Sequence, residues 1–427
     1  MNRKLAVILS GLSIRLALAP FTGHPYDMGV FAFSQRVWFD SGVVDLKTFP
    51  TLPLLYFIQL PFYAIYSSLI TSGLPDYQFV YHTTLMIESV FLKIPYILAD
   101  AGIFLLIQRI TNKLWPATLF FLNPLVILLS SAWGMYDSLM LVALMFGLWS
   151  LMLGDETKSS VMLLVSGSLK LFGFLPYGLL LLGNLAARHF KKLAAQLATG
   201  ILVIGGLVTL IAIFGGFYIF LVSFIFRFAG LSGSAFGRAG AAGTGSIVYL
   251  MFPSLKTIPF TALFVIATVS LFFALEQRRR PGVTTLVKWS LVGAVLLSIL
   301  SQAEPQWFSW AIPLAITYGS LTKRTGLQVY TYLYGTFSTF LITTQSQAGG
   351  FIVLGTKTFF LPFVEAYRNI LFVYAATTFT LLLLMLVYTL HKPMKFRYET
   401  IAIVILVYLQ AYFWFSIVNV PHIIGVA

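Results

Sequence analysis

Cysteine is absent from the 427-residue sequence, so the chain can form no disulfide bond and offers no thiolate to a zinc ion or a covalent mechanism. Charge is scarce as well. Only 9% of the residues are Asp, Glu, Lys or Arg, whereas soluble domains average roughly 25%. The sequence also lacks a linker, a low-complexity tract and a convincing internal repeat. These absences exclude a water-soluble globular protein and disfavour a transporter built from inverted repeats.

Long apolar runs are abundant instead. Hydrophobic residues make up 59% of the chain, and its mean hydropathy is +0.91. Runs of about 20 apolar residues, enough to cross a bilayer as a helix, recur from end to end, and a β-barrel would show alternation instead. We therefore predict an all-α integral membrane protein with about 13 transmembrane helices. The expected spans lie near 4–20, 51–71, 84–107, 115–131, 137–153, 159–186, 195–222, 257–275, 284–302, 306–320, 327–344, 369–390 and 399–418.

Basic residues outnumber acidic ones by 27 to 13. No basic-aromatic module accompanies this excess, so nucleic acid is not an expected partner. The positive-inside rule explains the charge better. Clusters at 188–192, 278–280, 323–324 and 392–397 predict cytoplasmic loops on the same side as the N-terminus. The loops expected outside are 21–50, 223–256, 303–306 and 345–368.

One basic cluster conflicts with this assignment. Counting spans puts Arg109 and Lys113 outside, but the charge rule puts them inside. Two irregular segments together would remove the conflict. The stretch 159–186 would be two short helices folded back at Lys170, and 51–82 would re-enter the membrane.

Asp27 is the most informative acid of the first long loop. The segment 26–39 is amphipathic, with Phe31 and Trp38 on an apolar side and Gln35 elsewhere, which predicts a helix lying in the membrane interface. Asp27 lies at or just before its start. There the side chain can cap the helix, or it can face a cavity as a general base. The two roles are compatible.

Two further polar positions interrupt apolar sequence. Asp137 heads a predicted helix after Trp133, Gly134 and Tyr136, so it either caps that helix or lines a site with these neighbours. Lys170 stands within an apolar stretch, where an ammonium must be paired, snorkel to the surface or face a polar cavity. A lipid phosphate is the partner that we expect for it.

The later outer loops contain the remaining candidates. Arg227 and Arg238 belong to the Gly-rich segment 227–246, which is either a loop that orders over an anion or an ordinary connector. Glu304 lies in a polar break between two spans, where it could bind a sugar hydroxyl or an acceptor, with Trp307 as a stacking platform. An ordinary outer loop explains the same residues.

Three charges fall within one predicted span: Glu88, Lys93 and Asp100. Lys93 and Asp100 are seven residues apart and so share a helix face. Charges inside a membrane indicate either function or an internal structural pair. The five histidines are scattered, which disfavours a zinc site built by the protein.

Several of these segments together resemble the C-type membrane glycosyltransferases (GT-C). Among them the chain looks most like the mannosyltransferases related to glycosylphosphatidylinositol mannosyltransferase I. The resemblance rests on the stretches 26–42, 48–56, 123–124, 133–138 and 168–170. Two departures stand out. A paired acid, DxD, is reduced to Asp27 alone, and Met135 replaces the glutamine of a WGQxDS-type motif.

The resemblance implies a membrane module at 1–222 with a catalytic outer loop at 21–50, and a second module at 223–427 whose loops 223–256 and 345–368 cover the substrate. It implies transfer of a hexose, mannose above all, from a polyprenyl-phosphate donor to a glycan, glycolipid or protein hydroxyl, with inversion, at the outer or lumenal face of the plasma or endoplasmic reticulum membrane. Membrane lipids are the other expected partners. The resemblance leaves a divalent metal open as a cofactor, although one acid is a poor ligand set for it.

In this interpretation Asp27 orients or deprotonates the acceptor, and basic side chains hold the phosphate leaving group. The expected substrate-binding residues are His24, Tyr26, Arg36, Tyr136, Asp137, Lys170, Arg227, Arg238, Glu304 and Trp307. Two alternatives stay open: a transporter or flippase for a lipid or polar solute, which would use the charges inside the span, and a structural subunit of a glycosyltransferase complex.

Overall fold

A computed structural model describes residues 2–42, 54–78, 82–213, 258–277, 282–300, 305–344 and 377–391. These residues form helices and, apart from one isolated bridge between Gln78 and Leu85, no β-structure. The helices are α1 (Arg3–Leu18), α2 (Pro25–Ser41), α3 (Leu54–Thr71), α4 (Met86–Thr111), α5 (Leu114–Phe121), α6 (Pro124–Ile127), α7 (Asp137–Met152), α8 (Glu156–Leu169), α9 (Phe174–Ala186), α10 (Phe190–Ile213), α11 (Ile258–Gln277), α12 (Val283–Leu300), α13 (Ala311–Leu321), α14 (Thr325–Thr344) and α15 (Thr377–Leu390). A π-helix (Leu128–Trp133) continues α6, and 3-10 turns (Leu171–Gly173, Pro305–Ser309) precede α9 and α13.

The prediction of an all-helical membrane protein is confirmed in its broad form. Three described helices are long and apolar enough to cross a membrane, namely α3, α4 and α10, and α5 with its bent continuation could be a fourth. The count of about 13 spans is not confirmed. Several apolar segments form helices of only 10–17 residues, which is short of the roughly 20 residues that a straight span needs.

Helices α1 and α4 lie antiparallel. Arg15 in α1 pairs with Asp100 in α4 at 2.9 Å. Nearer the start of α4, Lys93 Nζ donates to the carbonyl of Ala19, just past the end of α1, at 2.9 Å. The C-terminus of α1 and the N-terminus of α4 therefore lie at one end of the bundle. We call this the upper end and the opposite one the lower end.

This pairing places the basic cluster between α4 and α5 relative to the start of α1. Because α4 runs away from the upper end, Arg109 and Lys113 lie at the lower end, together with Arg3 and Lys4 at the start of α1. All four basic residues thus lie at one end of the bundle, as the charge rule expects for residues on one side of a membrane.

Helix α3 is one of the segments that complicate the count. Its Tyr63 donates to Glu88 at the upper end of α4, at 2.9 Å. A helix rises only about 13 Å between Leu54 and Tyr63, whereas α4 rises about 39 Å over its length. Helix α3 therefore follows only the upper part of α4, which favours the re-entrant alternative for 51–82.

The second irregular segment is folded back, as predicted. Helix α8 ends where Lys170 adopts an extended backbone conformation, with φ −147° and ψ 138°. Glu156 at the start of α8 pairs with Lys192 at the start of α10 at 2.6 Å. Since α9 connects Lys170 to α10, it must return to the lower end, and Lys170 stands at the tip of a helical hairpin.

A broken helix leads back to the upper end. The chain bends by 50° between Leu114–Phe121 and Pro124–Trp133, where Asn123 Oδ1 accepts a hydrogen bond from the amide of Leu125 at 3.1 Å. The π-helix that follows ends at Gly134, whose φ of 89° is left-handed. This turn brings the chain from Trp133 to Asp137 into the upper end of the bundle.

Both halves of the chain contribute to one core. Buried apolar side chains from α2 through α9 and from α11 through α15 form a continuous cluster, and a Cβ added to Gly293 in α12 would lie 2.3 Å from Leu175 in α9. The boundary expected between 1–222 and 223–427, and the covering loops 223–256 and 345–368, lie outside the described residues.

Helix α2 buries a different face from the one that the sequence predicts. Phe31 is buried, as expected, but so is Gln35, whose Nε2 donates to the carbonyl of Tyr56 at 3.2 Å. Phe33 and Phe39 are exposed instead. The expectation for Gln35 was wrong because, next to hydrocarbon, polar groups gain more by facing the protein than by facing outward.

Candidate functional site

Four chain segments meet at the upper end and carry the polar side chains singled out by the sequence. They are the turn before α2, the turn between the π-helix and α7, the tip of the α8–α9 hairpin and the 3-10 turn before α13. Asp27 and Asp137 are the carboxylates that the described residues of these four segments contribute.

Asp27 is held by an aromatic and an imidazole group. Its Oδ2 accepts a hydrogen bond from Trp133 Nε1 at 2.7 Å and lies 2.9 Å from His24 Nδ1. The His24 and Trp133 rings stack with centroids 5.1 Å apart, and the amide of His24 donates to the Trp133 carbonyl at 3.0 Å. His24, not Asp27, occupies the N-cap position of α2, so the Asp27 carboxylate is not used as the cap.

The Asp27 carboxylate is stabilised in its charged form. Burial would raise its pKa, but the hydrogen bond and charge of His24, followed by the Trp133 indole and the charge of Lys170, outweigh burial and hold the pKa below 3.8. The side chain is 21% exposed. Within the described part of the chain no hydrogen bond to Oδ1 is found, so that oxygen is the one that can accept a further proton donor.

Asp137 has two partners that sequence order does not suggest. Lys170 Nζ lies 2.8 Å from each of its carboxylate oxygens, and Trp310 Nε1 donates to Oδ1 at 2.5 Å. The Asp137 side chain is 2% exposed and that of Lys170 10%. Asp137 does not cap α7 through its side chain. Lys170, for which a lipid phosphate was expected, therefore has a protein partner.

Aromatic rings surround the ammonium of Lys170. Its Nζ lies 4.6 Å from the ring centroid of Tyr136 and 5.8 Å from that of Trp310. Trp310 is stacked between Phe172 and Trp307, with centroid distances of 4.9 and 5.0 Å. Trp307 is the partly exposed outer ring of this stack. An ammonium held against aromatic rings in this way can bind an anion beside a flat ring surface.

The Asp27 and Asp137 sites are close neighbours in the structure. Trp133 and Asp137 flank one short turn, and the charge of Lys170 acts on Asp27. Tyr96 of α4, which is fully buried, lies within electrostatic range of both carboxylates. Gln59 Nε2 donates to its phenol oxygen at 2.5 Å.

The ionisable side chains inside α4 are all hydrogen-bonded, but not to one another. Glu88 accepts two hydrogen bonds from the guanidinium of Arg36, one of them at 2.8 Å. Asp100 pairs with Arg15, and Lys93 donates to backbone carbonyls. Although Lys93 and Asp100 lie seven residues apart, they do not pair with each other; the internal pairs are those of Glu88 with Arg36 and of Asp100 with Arg15.

The other predicted site residues differ in their placement. Trp307 lies in the aromatic stack, Arg36 has its guanidinium on Glu88, and Tyr26 points outward with 66% exposure. Arg227, Arg238 and Glu304 lie outside the described residues.

Sequence reasoning missed Trp310, Tyr96 and Arg15. Trp310 could have been found, because it lies three residues after Trp307 at a span mouth, where indoles with a hydrogen-bonding partner are common. Arg15 could also have been found, because a charged residue within an apolar run is expected to have a partner. No sequence signal distinguished Tyr96 from the many other aromatic residues.

The region that the structure describes offers few ligands to a metal ion, since no group of three His, Asp or Glu side chains lies together there. Comparison of the chain with protein-family models, with curated proteins and with solved structures gives no match.

Proposed function

We propose that the protein is a GT-C-type glycosyltransferase that moves a hexose, mannose in the first instance, from a polyprenyl-phosphate donor to a hydroxyl acceptor. The observation that carries the proposal is the pair of carboxylates at the upper end. Asp27 keeps one carboxylate oxygen unoccupied by the described residues, and Asp137 holds a lysine beside a stack of aromatic rings.

Asp27 acts on the acceptor. The acceptor hydroxyl donates to the carboxylate, which aligns its oxygen with the anomeric carbon. Since the pKa of Asp27 is lowered, the group is charged at neutral pH but is a weak base in the ground state. It takes the proton only as the new C–O bond makes the hydroxyl acidic.

Lys170 acts on the donor. As the bond between the anomeric carbon and the phosphate oxygen breaks, the electron pair goes to the phosphate, and an ammonium beside it stabilises the developing charge. Asp137 would share Lys170 with the phosphate and hold its Nζ in place. Arg227 and Arg238 remain our proposed additional phosphate ligands.

The partly exposed Trp307 supplies a flat apolar surface to the sugar. Its stacking on Trp310, which is itself hydrogen-bonded to Asp137, fixes that surface relative to Lys170. The donor phosphate and the hexose ring would thus bind to adjacent parts of one rigid unit. Glu304, just before the 3-10 turn, is our proposed ligand for a sugar hydroxyl.

We assign the upper end to the outer or lumenal side of the membrane and the N-terminus to the cytoplasm. Support comes from the basic residues at the lower end, where Arg3, Lys4, Arg109, Lys113 and Lys192 lie. The donor would then enter from the bilayer with its phosphate at the outer surface.

The paired charges of α4 weaken the transporter alternative. A transport pathway needs ionisable groups that face a polar cavity at mid-membrane, whereas Asp100 and Lys93 are 0% exposed and bonded to α1 or the turn after it. We therefore prefer an enzyme to a flippase.

The test is transfer of radiolabelled mannose from polyprenyl-phosphate mannose by the purified protein to a panel of glycan, glycolipid and peptide acceptors. Asp27→Asn should lose about 10²–10⁴-fold in rate. Asp40→Asn, an exposed carboxylate at the other end of α2, is the matched control and should keep the wild-type rate. Equal rates for Asp27→Asn and wild type would show that the base assignment is wrong.

A further inference from the structure

Two buried ionisable residues of α4 have no part in the reaction proposed above, yet each contacts a segment next to a site carboxylate. Lys93 and Asp100 are both 0% exposed. Ionisable side chains this deep in a membrane protein generally pair with one another or with backbone carbonyls, and they commonly mark functional sites.

Lys93 is bonded to the turn that leads to Asp27. Its Nζ donates to the carbonyls of Ala19 and Thr22. Thr22 is followed closely by His24, whose Nδ1 contacts Asp27. The Lys93 stem also fills the space beside Gly134, since a Cβ there would lie 3.1 Å from Lys93 Cε. Lys93 thus connects the two segments that supply His24 and Trp133 to Asp27.

Asp100 is bonded to the first turn of α7. Ser138 Oγ donates to Asp100 Oδ1, and Arg15 Nε donates to Asp100 Oδ2 at 2.9 Å. Ser138 is the residue next to Asp137, and the first turn of α7 has no side-chain cap of its own. The bond from Ser138 therefore fixes the rotation and height of the turn that presents Asp137.

We propose that Lys93 and Asp100 are positioning residues: Lys93 sets the place of Asp27, and Asp100, oriented by Arg15, sets that of Asp137. Helix α4 is the common support of both, so it fixes the distance between the acceptor side and the donor side of the site. This inference rests on the proposed function for its catalytic meaning, but its structural part stands without it.

The indole N–H groups of Trp133 and Trp310 report on the two carboxylates separately, because each donates to one of them. The protein has eight tryptophans, so ¹⁵N-indole NMR in detergent micelles gives few signals, and Trp→Phe variants assign the two. We expect Lys93→Gln to shift the signal of Trp133 and leave that of Trp310 unchanged. Ser138→Ala should do the reverse.

Both substitutions are mild. Lys93→Gln keeps an N–H donor at the end of the side chain, and Ser138→Ala removes a single hydroxyl; if Lys93→Gln does not fold, Lys93→Arg takes its place and should shift the Trp133 signal alone. Thr331→Val is the control, since Thr331 is buried and its hydroxyl donates within its own helix, to the carbonyl of Leu327. It should shift neither signal.

Sugar transfer provides the second measurement. A displacement of about 1 Å can lower a catalytic rate on the order of 100-fold, so Ser138→Ala should reduce kcat while Ser138→Thr, which retains the hydroxyl, restores most of it. If both indole signals shift in each variant, or neither does, the positioning roles are refuted. Selective shifts in a protein that transfers no sugar would instead retain the structural inference and refute the proposed function.

Discussion

Replacement of Gly134 by alanine should disrupt the site more than the addition of one methyl group suggests. Gly134 has a φ of 89°, and a left-handed conformation costs a non-glycine residue roughly 1–2 kcal/mol. A Cβ there would also lie 2.2 Å from Met28 Sδ and 3.1 Å from Lys93 Cε. Since both neighbours are enclosed in the core, this overpacking adds about 1–3 kcal/mol. We expect Gly134→Ala to destabilise the protein by about 2–5 kcal/mol in total.

Gly154→Ala is the matched control. Its φ is 82°, but nothing lies within 4 Å of its Cβ position. It shares the backbone cost and lacks the steric cost. The assay is the unfolding midpoint in detergent of both variants and of Met28→Ala/Gly134→Ala, in which the shorter side chain should recover part of the loss. Equal midpoints for Gly134→Ala and Gly154→Ala would refute the packing described for this turn.

Three other perturbations test neighbouring parts of the structure. Since the pKa of Asp27 is lowered, its carboxylate stabilises the fold at pH values above the ordinary pKa of 3.8 and loses this effect as pH falls through the folded-state pKa. The difference in unfolding midpoint between wild type and Asp27→Asn should therefore shrink only below about pH 4. A difference that changes only near neutral pH would contradict this. Arg36→Met leaves Glu88 buried with weaker partners and should destabilise the protein by about 2 kcal/mol in chemical denaturation. The loss is kept small because the Arg36 side chain is 44% exposed. The double variant Arg36→Met/Glu88→Gln should recover part of the lost stability, and no recovery would show that the ion pair is not the cause. Lys170→Met should abolish donor-dependent transfer and destabilise the fold, because among the described residues Asp137 then keeps the indole of Trp310 as its hydrogen-bond donor. Transfer at the wild-type rate would remove Lys170 from the site.

The fold was predictable where one physical rule acts alone. Long apolar runs give apolar helices, and the chain reversal at Lys170 was predicted from the conflict between the span count and the charge rule. The count of about 13 spans is not confirmed, because a segment such as α8 has only 14 residues and includes buried serines, one of which donates to the carbonyl of Met140 in α7.

The candidate site was predictable in its residue types and less so in its contacts. Asp27 and Asp137 stood out because acids are rare in this chain. Their partners did not, since Trp310 is 173 positions from Asp137 and Trp133 is 106 positions from Asp27. Only tertiary packing brings these indoles to the carboxylates, with α13 packed against α4 and α5 and the π-helix against α1 and α4.

A single measurement tests the central claim most directly: incubation of the purified protein with polyprenyl-phosphate [³H]mannose and a mixture of hydroxyl acceptors, followed by chromatography of the products. We expect label in an acceptor fraction from wild type and from Asp40→Asn, with release of polyprenyl phosphate, and at most about 1% of that label from Asp27→Asn. If wild type and Asp27→Asn transfer equally, Asp27 is not the acceptor-side carboxylate. If wild type binds the donor lipid but leaves all label on it with every acceptor, the protein is not the glycosyltransferase proposed above.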